Sequence, residues 1–347
     1  KSSLNSIYIP KNYLRRHNIN NKKLISLLKK ISKLEVVVIG DLIIDKYISC
    51  QPLGMSQEDP SIVVTPVDTK LYIGGAGIVS LHAAGLGANV NYFSVSGNDE
   101  YYKFAKKQLN LRKVNSKIFV DDSRPTTLKT RYRSSDKTLL RVSNLQQVSI
   151  SKNLQKKIFN EVKKIINKVD LIVFSDFNYG CLPQSLVDKI INLGKSKKIM
   201  LTADSQSSSQ NGNICRYKNM NLITPTEKEA RMATRNHEDG LIVLANQLRE
   251  ESSAKNSFIK LGPEGLLVHT ERKKNNLFHT DKIAALNLVP KDVIGAGDSM
   301  LISSAMVMAV GGNIWEAALL GSLASAIQVS RLGNTPLNIN ELLQEIK

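Results

Sequence analysis

The chain has 347 residues, enough for one large α/β domain or two modest ones, and its 42% hydrophobic content suffices for a core. A net charge of +18 suits anionic ligands, but aromatic residues are only 5% and do not interleave with a basic stripe, which argues against a nucleic-acid groove. No run approaches 18 apolar residues, so no transmembrane helix is expected, and Cys50, Cys181 and Cys215 are too scattered for a disulfide framework or a zinc site.

Such cysteine usage fits a reducing cytoplasm. The chain starts at Lys1, not at Met, and has no apolar leader, which suggests a piece of a longer protein, with a further domain expected ahead of Lys1, or a trimmed chain. Residues 1–33 are basic and polar, with one amphipathic stretch around Leu24 to Leu34. They are expected to form a linker or a packing helix ahead of a main domain spanning 34–347.

Glu35 to Gly40 is a continuous apolar run ending in glycine, as in a central strand of a parallel sheet. Asp41 and Asp45 follow at its carboxyl end, where open α/β sheets bind ligands. Asp41 is read as a turn residue. Alternating, proline-punctuated stretches within about 50–72 and 124–143 predict short exposed strands of a separate small sheet, a plausible lid. Leu71 to Gly77 leads into a helix ending near Gly87, and Asn89 to Ser96 is the next strand.

A strand–helix rhythm then takes over. Leu171–Asp176, Ile199–Asp204 and Asn221–Pro225 read as strands, with helices over Leu182–Leu193 and through Glu227 and Glu229. Two strands flank the Leu-Gly-Pro-Glu-Gly turn between Phe258 and His269. This rhythm predicts a doubly wound α/β fold, a mostly parallel sheet with helices on both faces. Asp176, Asp204 and Glu229 fall at or just beyond strand ends, so one cleft is expected to collect them.

Asp292-Val-Ile-Gly295-Ala296-Gly297-Asp298 precedes a long run of small and apolar residues. Small residues let backbone amides approach a ligand, and amides opening a helix make an anion site. Asp298 beside such a site is either a helix N-cap or a base that takes a proton from an attacking hydroxyl.

Asp-x-x-Gly-Ala-Gly-Asp near the end of an α/β chain resembles the signature of the ribokinase/phosphofructokinase-B family of sugar kinases. The resemblance extends over about residues 34–347. It is carried by Gly40 to Tyr47, Ser56 to Pro60, Gly74-Gly75-Ala76 with Leu86 to Ala88, Thr126 to Arg131 with Arg141, Ser175 to Phe177, Thr224-Pro225 and Arg331 to Gly333. Within the family the chain looks most like the kinases of heptose 7-phosphate, which feed ADP-heptose synthesis.

The resemblance implies a ribokinase-like fold and an ATP- and Mg2+-dependent phosphorylation of a sugar or sugar phosphate at an anomeric hydroxyl. Asp298 would be the base, and Gly295, Ala296 and Gly297 the hole for phosphoryl charge. Asp45, Gly74 and Gly75 would hold sugar hydroxyls, and Lys129, Arg131 and Arg141 a substrate phosphate; solvated charge on an edge strand is the other reading of these three. Asp292, Thr224, Gly262 and Gly265 are expected around the nucleotide, and Glu229 near the metal. A monovalent cation, and a homodimer paired through the lid, are further implications.

The departures are specific. Ile78 stands where the family has a sugar-binding Asn, Tyr179 and Gln206 where it has Lys, and Thr226 where it has the Asn of Asn-x-x-Glu. They keep a second reading open, a catalytically weakened kinase-like domain serving as a scaffold. A nicotinamide oxidoreductase is excluded, because no Gly-x-Gly-x-x-Gly follows the first strand.

Overall fold

The computed structural model describes residues 7–135, 137–206, 212–271 and 278–347. A short helix α1 (Lys11–Arg16) and α2 (Asn21–Lys30) come first. The body then runs β1 (Glu35–Gly40), β2 (Leu42–Met55), β3 (Ile62–Gly75), α3 (Ala76–Gly85), β4 (Asn89–Ser96), α4 (Glu100–Leu111), β5 (Asn115–Val120), β6 (Thr127–Ser134) and β7 (Lys137–Asn144). Next come α5 (Lys152–Ile165), β8 (Leu171–Asp176), α6 (Gln184–Ser196), β9 (Met200–Ser205), β10 (Leu222–Ile223), α7 (Glu227–Thr234) and α8 (Leu241–Ser252). The chain closes with β11 (Asn256–Lys260), β12 (Leu266–Thr270), β13 (Thr280–Ile283), α9 (Ala296–Ala309), α10 (Ile314–Val329) and α11 (Ile339–Ile346).

The large sheet has nine strands in the order β13-β12-β11-β10-β9-β8-β1-β4-β5. From β11 to β5 the strands run parallel, and β12 and β13 are antiparallel additions. Alternation along each buried strand feeds two cores. Val36, Val38, Leu171 and Val173 join a cluster with α2, α3, α9 and α10. Val37, Ile39, Ile172 and Phe174 join another with α5, α6 and α8. Burial on both faces is why these strands are apolar throughout. Strand order reverses between β1 and β8, which opens a crevice at their carboxyl ends.

The small sheet is ordered β3-β2-β6-β7. It differs from the expected short strands in length and start. β2 begins at Leu42, with only Asp41 between it and β1, and pairs with β3 from Leu42↔Gly75 out to Met55↔Ile62. Its first residues, Leu42 to Asp45, are all buried, and the alternation that signals a half-buried strand begins only at Ile48.

Residues 7–33 pack onto the main body. Tyr13, Leu24, Leu27 and Leu28 are buried in its core, Tyr13 Oη donates to the Trp315 carbonyl at 3.1 Å, and the His17 ring stacks on Trp315 with centroids 4.1 Å apart. Among the described residues no helix is long and apolar enough to cross a membrane.

Strand β1 lies so close to β8 that a Cβ on Gly40 would meet the Ser175 carbonyl at 1.8 Å. Gly40→Ala is therefore expected to lose about 3 kcal/mol or more in urea denaturation. Gly240→Ala, where nothing lies within 4 Å, should stay within about 0.5 kcal/mol of the parent.

Candidate active site

A cleft of about 630 Å³ opens at the carboxyl ends of the central strands. Helix α9 points its first turn into it. Gly295 is the N-cap, with φ of 78°, and Asp298 is the third helical residue, so Asp298 is not the cap. A Cβ on Gly295 would sit 2.1 Å from Asn334 Oδ1, which leaves glycine as the residue that fits. The first amides of a helix have no intrahelical acceptor, and the helix dipole adds to their pull on an anion.

The Asp298 carboxyl is buried beside this turn. Burial pushes its pKa up to about 7, with Asp204 adding to the rise and Lys260 opposing it. Such a carboxyl stands near the protonation midpoint at neutral pH, where a general base works best. Gln206 Nε2 lies 3.4 Å from Asp298 Oδ1.

Lys260, at the end of β11, places Nζ at 3.0 and 3.2 Å from the two oxygens of Asp204. Burial raises the Asp204 pKa, and the Lys260 charge opposes the shift. Glu229 lines the same cleft from the first turn of α7 and completes a capping box by accepting from Thr226 N at 2.7 Å. Among the described residues no group of three or more His, Cys, Asp or Glu could hold a metal alone. Mg2+ keeps waters and leans on substrate phosphates with one or two carboxylates, and Glu229 is a cleft carboxylate that could supply one.

The small sheet supplies the opposite wall. Strand pairing sets Asp45 against Lys129 and Tyr47 against Arg131. Arg131 donates to Asp45 Oδ1 at 2.6 Å, and Asn334 donates to Asp45 Oδ2 at 3.1 Å. Lys129 Nζ lies 5.1 and 5.2 Å from the Phe177 and Tyr179 ring centroids. Gly74 packs so close to Asp45 that a Cβ there would come within 2.5 Å of its oxygen. Gly262 and Gly265, in the turn between β11 and β12, border a more apolar arm with Leu286, Val293 and Ala326.

The cleft therefore brings together Asp298, Gly295, Ala296, Gly297, Asp45, Gly75, Lys129, Arg131, Glu229, Gly262 and Gly265. Other expected residues lie elsewhere. Arg141 is exposed on β7, away from the lining. Thr224 is buried behind it.

Asp292 turns inward. Its carboxylate accepts from Tyr47 Oη and Gly333 N, both at 3.0 Å, and from Ile294 N at 3.2 Å. Asp176 is also away from the cleft, paired with Arg216 at 2.7 Å. Asp41 does more than turn the chain. It accepts from the amides of Phe177, Tyr179 and Cys181 at 2.8, 3.4 and 3.2 Å, and so holds the loop carrying the two rings.

Sequence reasoning missed Lys260 and Asn334. A charged residue closing the buried Ser257-Phe258-Ile259 run was a usable signal for Lys260; Asn334 had none beyond its place after Gly333.

A family model, described as pfkB family carbohydrate kinase, matches residues 33–340. The chain belongs to that family. This kinase is 31% identical over 318 residues to a protein of Helicobacter hepaticus named bifunctional protein HldE, a match covering 90% of the chain and 64% of that relative. It thus spans under two thirds of the relative's length. Its fold resembles phosphofructokinase-2 of Escherichia coli, solved with substrates and products, at 14% identity and a TM-score of 0.73, covering 90% of the chain and 98% of the other. The ribokinase of Arabidopsis thaliana, solved with ribose and ATP, gives 16% identity and a TM-score of 0.68 over the same shares.

The raised carboxyl makes a stability prediction. The folded pKa of Asp298, about 7, exceeds an unfolded value near 4, so its ionisation opposes folding. Its contribution is favourable below about pH 4 and is lost as pH rises through 7. In urea denaturation Asp298→Asn should exceed the parent by on the order of 4 kcal/mol at pH 8 and match it near pH 4.

Proposed function

We propose that this kinase transfers the γ-phosphoryl group of ATP to the anomeric hydroxyl of a sugar phosphate, with heptose 7-phosphate as the first candidate. The observation that carries this reading is the buried Asp298 carboxyl beside the Gly295–Gly297 turn, facing Asp45, Lys129 and Arg131 across one cleft. Asp298 takes the proton of the attacking hydroxyl. A bond forms between that oxygen and the γ-phosphorus, the bond to the bridging oxygen breaks, and ADP leaves. The Gly295–Gly297 amides face the charge on the transferring group. Bound magnesium would offset phosphate charge, held through Glu229. The apolar arm beside Val293 and Ala326 suits a nucleotide base.

An anionic sugar is favoured by the charge count on the lid. Arg131 is paired with Asp45, and Lys129 adds a second positive charge at the sugar end, beside the Phe177 and Tyr179 rings. The relative's name and the span of the match support a second catalytic domain in the full protein. Exposed Leu53, Met55, Val67 and Leu140 on the lid support its pairing with a second copy.

One observation favours the weakened reading: Ile78 is fully buried in the core and offers a sugar nothing. The buried base argues against it, because Asp298 is held at a cost in stability that a scaffold does not need.

The test is ADP release with Mg-ATP against heptose 7-phosphate, hexose phosphates and free sugars. Heptose 7-phosphate should give the highest kcat/KM. The rate should fall about 10³-fold or more in Asp298→Asn. Ionised Asp298 being the active form, kcat/KM should rise with pH to a plateau above about 7, and drop about tenfold per pH unit below it. ATP binding without turnover on any sugar would support the scaffold instead.

A further inference from the structure

The reading above leaves one half-buried ammonium of the cleft unused. Lys260 lines the cleft, and its Nζ rests 3.1 Å from where a Cβ on Gly297 would stand. The ammonium thus lies against the first turn of α9, close enough that a side chain at 297 would press on it.

The carboxylates around it exceed what one lysine neutralises. Asp204 from β9, Glu229 from α7 and Asp298 from α9 all act on Lys260, with Lys129 from β6 and Asp45 from β2 acting on Asp298 across the cleft. A lysine serving only as counter-ion to Asp204 would need no face on the cleft.

Strand β9 ends on Asp204-Ser205 and is followed by Gln206, so no cation enters the cleft directly after it. Gln206 approaches Asp298 with a neutral amide in its place. Lys260 enters the same region from β11, two strands along the sheet.

We propose that Lys260 is a catalytic residue of this kinase, its ammonium contacting a γ-phosphoryl oxygen during transfer while Asp204 holds it in position. The proposal rests on the phosphoryl-transfer reading. Lys260 stays protonated throughout; the hydroxyl proton goes to Asp298, and the bonds made and broken are those given above. The transferring group spreads negative charge over its equatorial oxygens, and a cation already desolvated and aimed needs no rearrangement to meet it.

Three variants test this: Lys260→Met, Lys260→Arg, and the double variant Asp204→Asn with Lys260→Met, which leaves no unpaired Asp204 charge. Calorimetry gives the affinities for Mg-ATP and Mg-ADP, and ADP release gives kcat. Lys260→Met should lower kcat about 10²- to 10³-fold and cut the preference for ATP over ADP by about fivefold or more. Lys260→Arg should recover part of both, and the double variant should stay as slow as Lys260→Met.

A double variant returning to within about threefold of the parent kcat would overturn the proposal and make Lys260 a counter-ion. An unchanged ATP-to-ADP preference in a folded Lys260→Met would overturn it too. A parent without sugar-dependent turnover would sink the phosphoryl-transfer reading alone. The nucleotide preference would still decide whether Lys260 touches the terminal phosphate.

Discussion

The backbone at Gly295 turns through a positive φ with an Asn334 oxygen lying where any side chain would go. The same Asn334 donates to Asp45 on the small sheet. One turn before α9, Asp292 accepts from the Ile294 and Gly333 amides and from the Tyr47 hydroxyl of β2. The start of α9, the loop after α10 and the lid are therefore tied at a single junction. Position and charge at the anion site depend on that junction more than on the helix dipole, which any helix provides.

Electrostatics in the cleft is a contest between burial and pairing. Burial raises Asp41, Asp204 and Asp298 alike. Asp41 is answered by backbone amides and Asp204 by an ammonium. Asp298 has the neutral Gln206 amide at 3.4 Å, and the Lys260 and Lys129 charges do not overcome burial and the neighbouring Asp204, so its carboxyl stays high. A carboxyl left under-compensated weakens the fold and is readied to take a proton.

The central strands were legible because a run such as Val36-Val37-Val38-Ile39 can be buried on both faces only inside a parallel sheet. The edge strands β5 and β13 were not, since Asn-Ser-Lys-Ile-Phe-Val and Thr-Asp-Lys-Ile carry the mixed polarity of exposed segments. Asp298 and its glycines were legible as one local motif. Lys260 and Asn334 were not, because sheet order and the return of the chain after α10 bring them there, and neither is written in spacing. Asp292 and Thr224 show the opposite failure. Their place in a motif was readable, but the direction in which a side chain turns was not.

Only Asp41 separates β1 from β2, and none separates β3 from α3. The two crossing points are also joined, by the Ala76 amide donating to the Asp41 carbonyl at 2.9 Å. On the β2–β3 side the small sheet is therefore a stiff arm on one pivot, while β6 and β7 join the body separately through residues 121–126 and 145–151. Asp45 sits close to that pivot and Leu53 and Met55 far out along the arm, so a swing that barely moves the sugar end of the cleft carries the tip through a wide arc. Whatever grips the tip gains leverage over the pocket, while a ligand gripped at Asp45 must work against the short end of the lever.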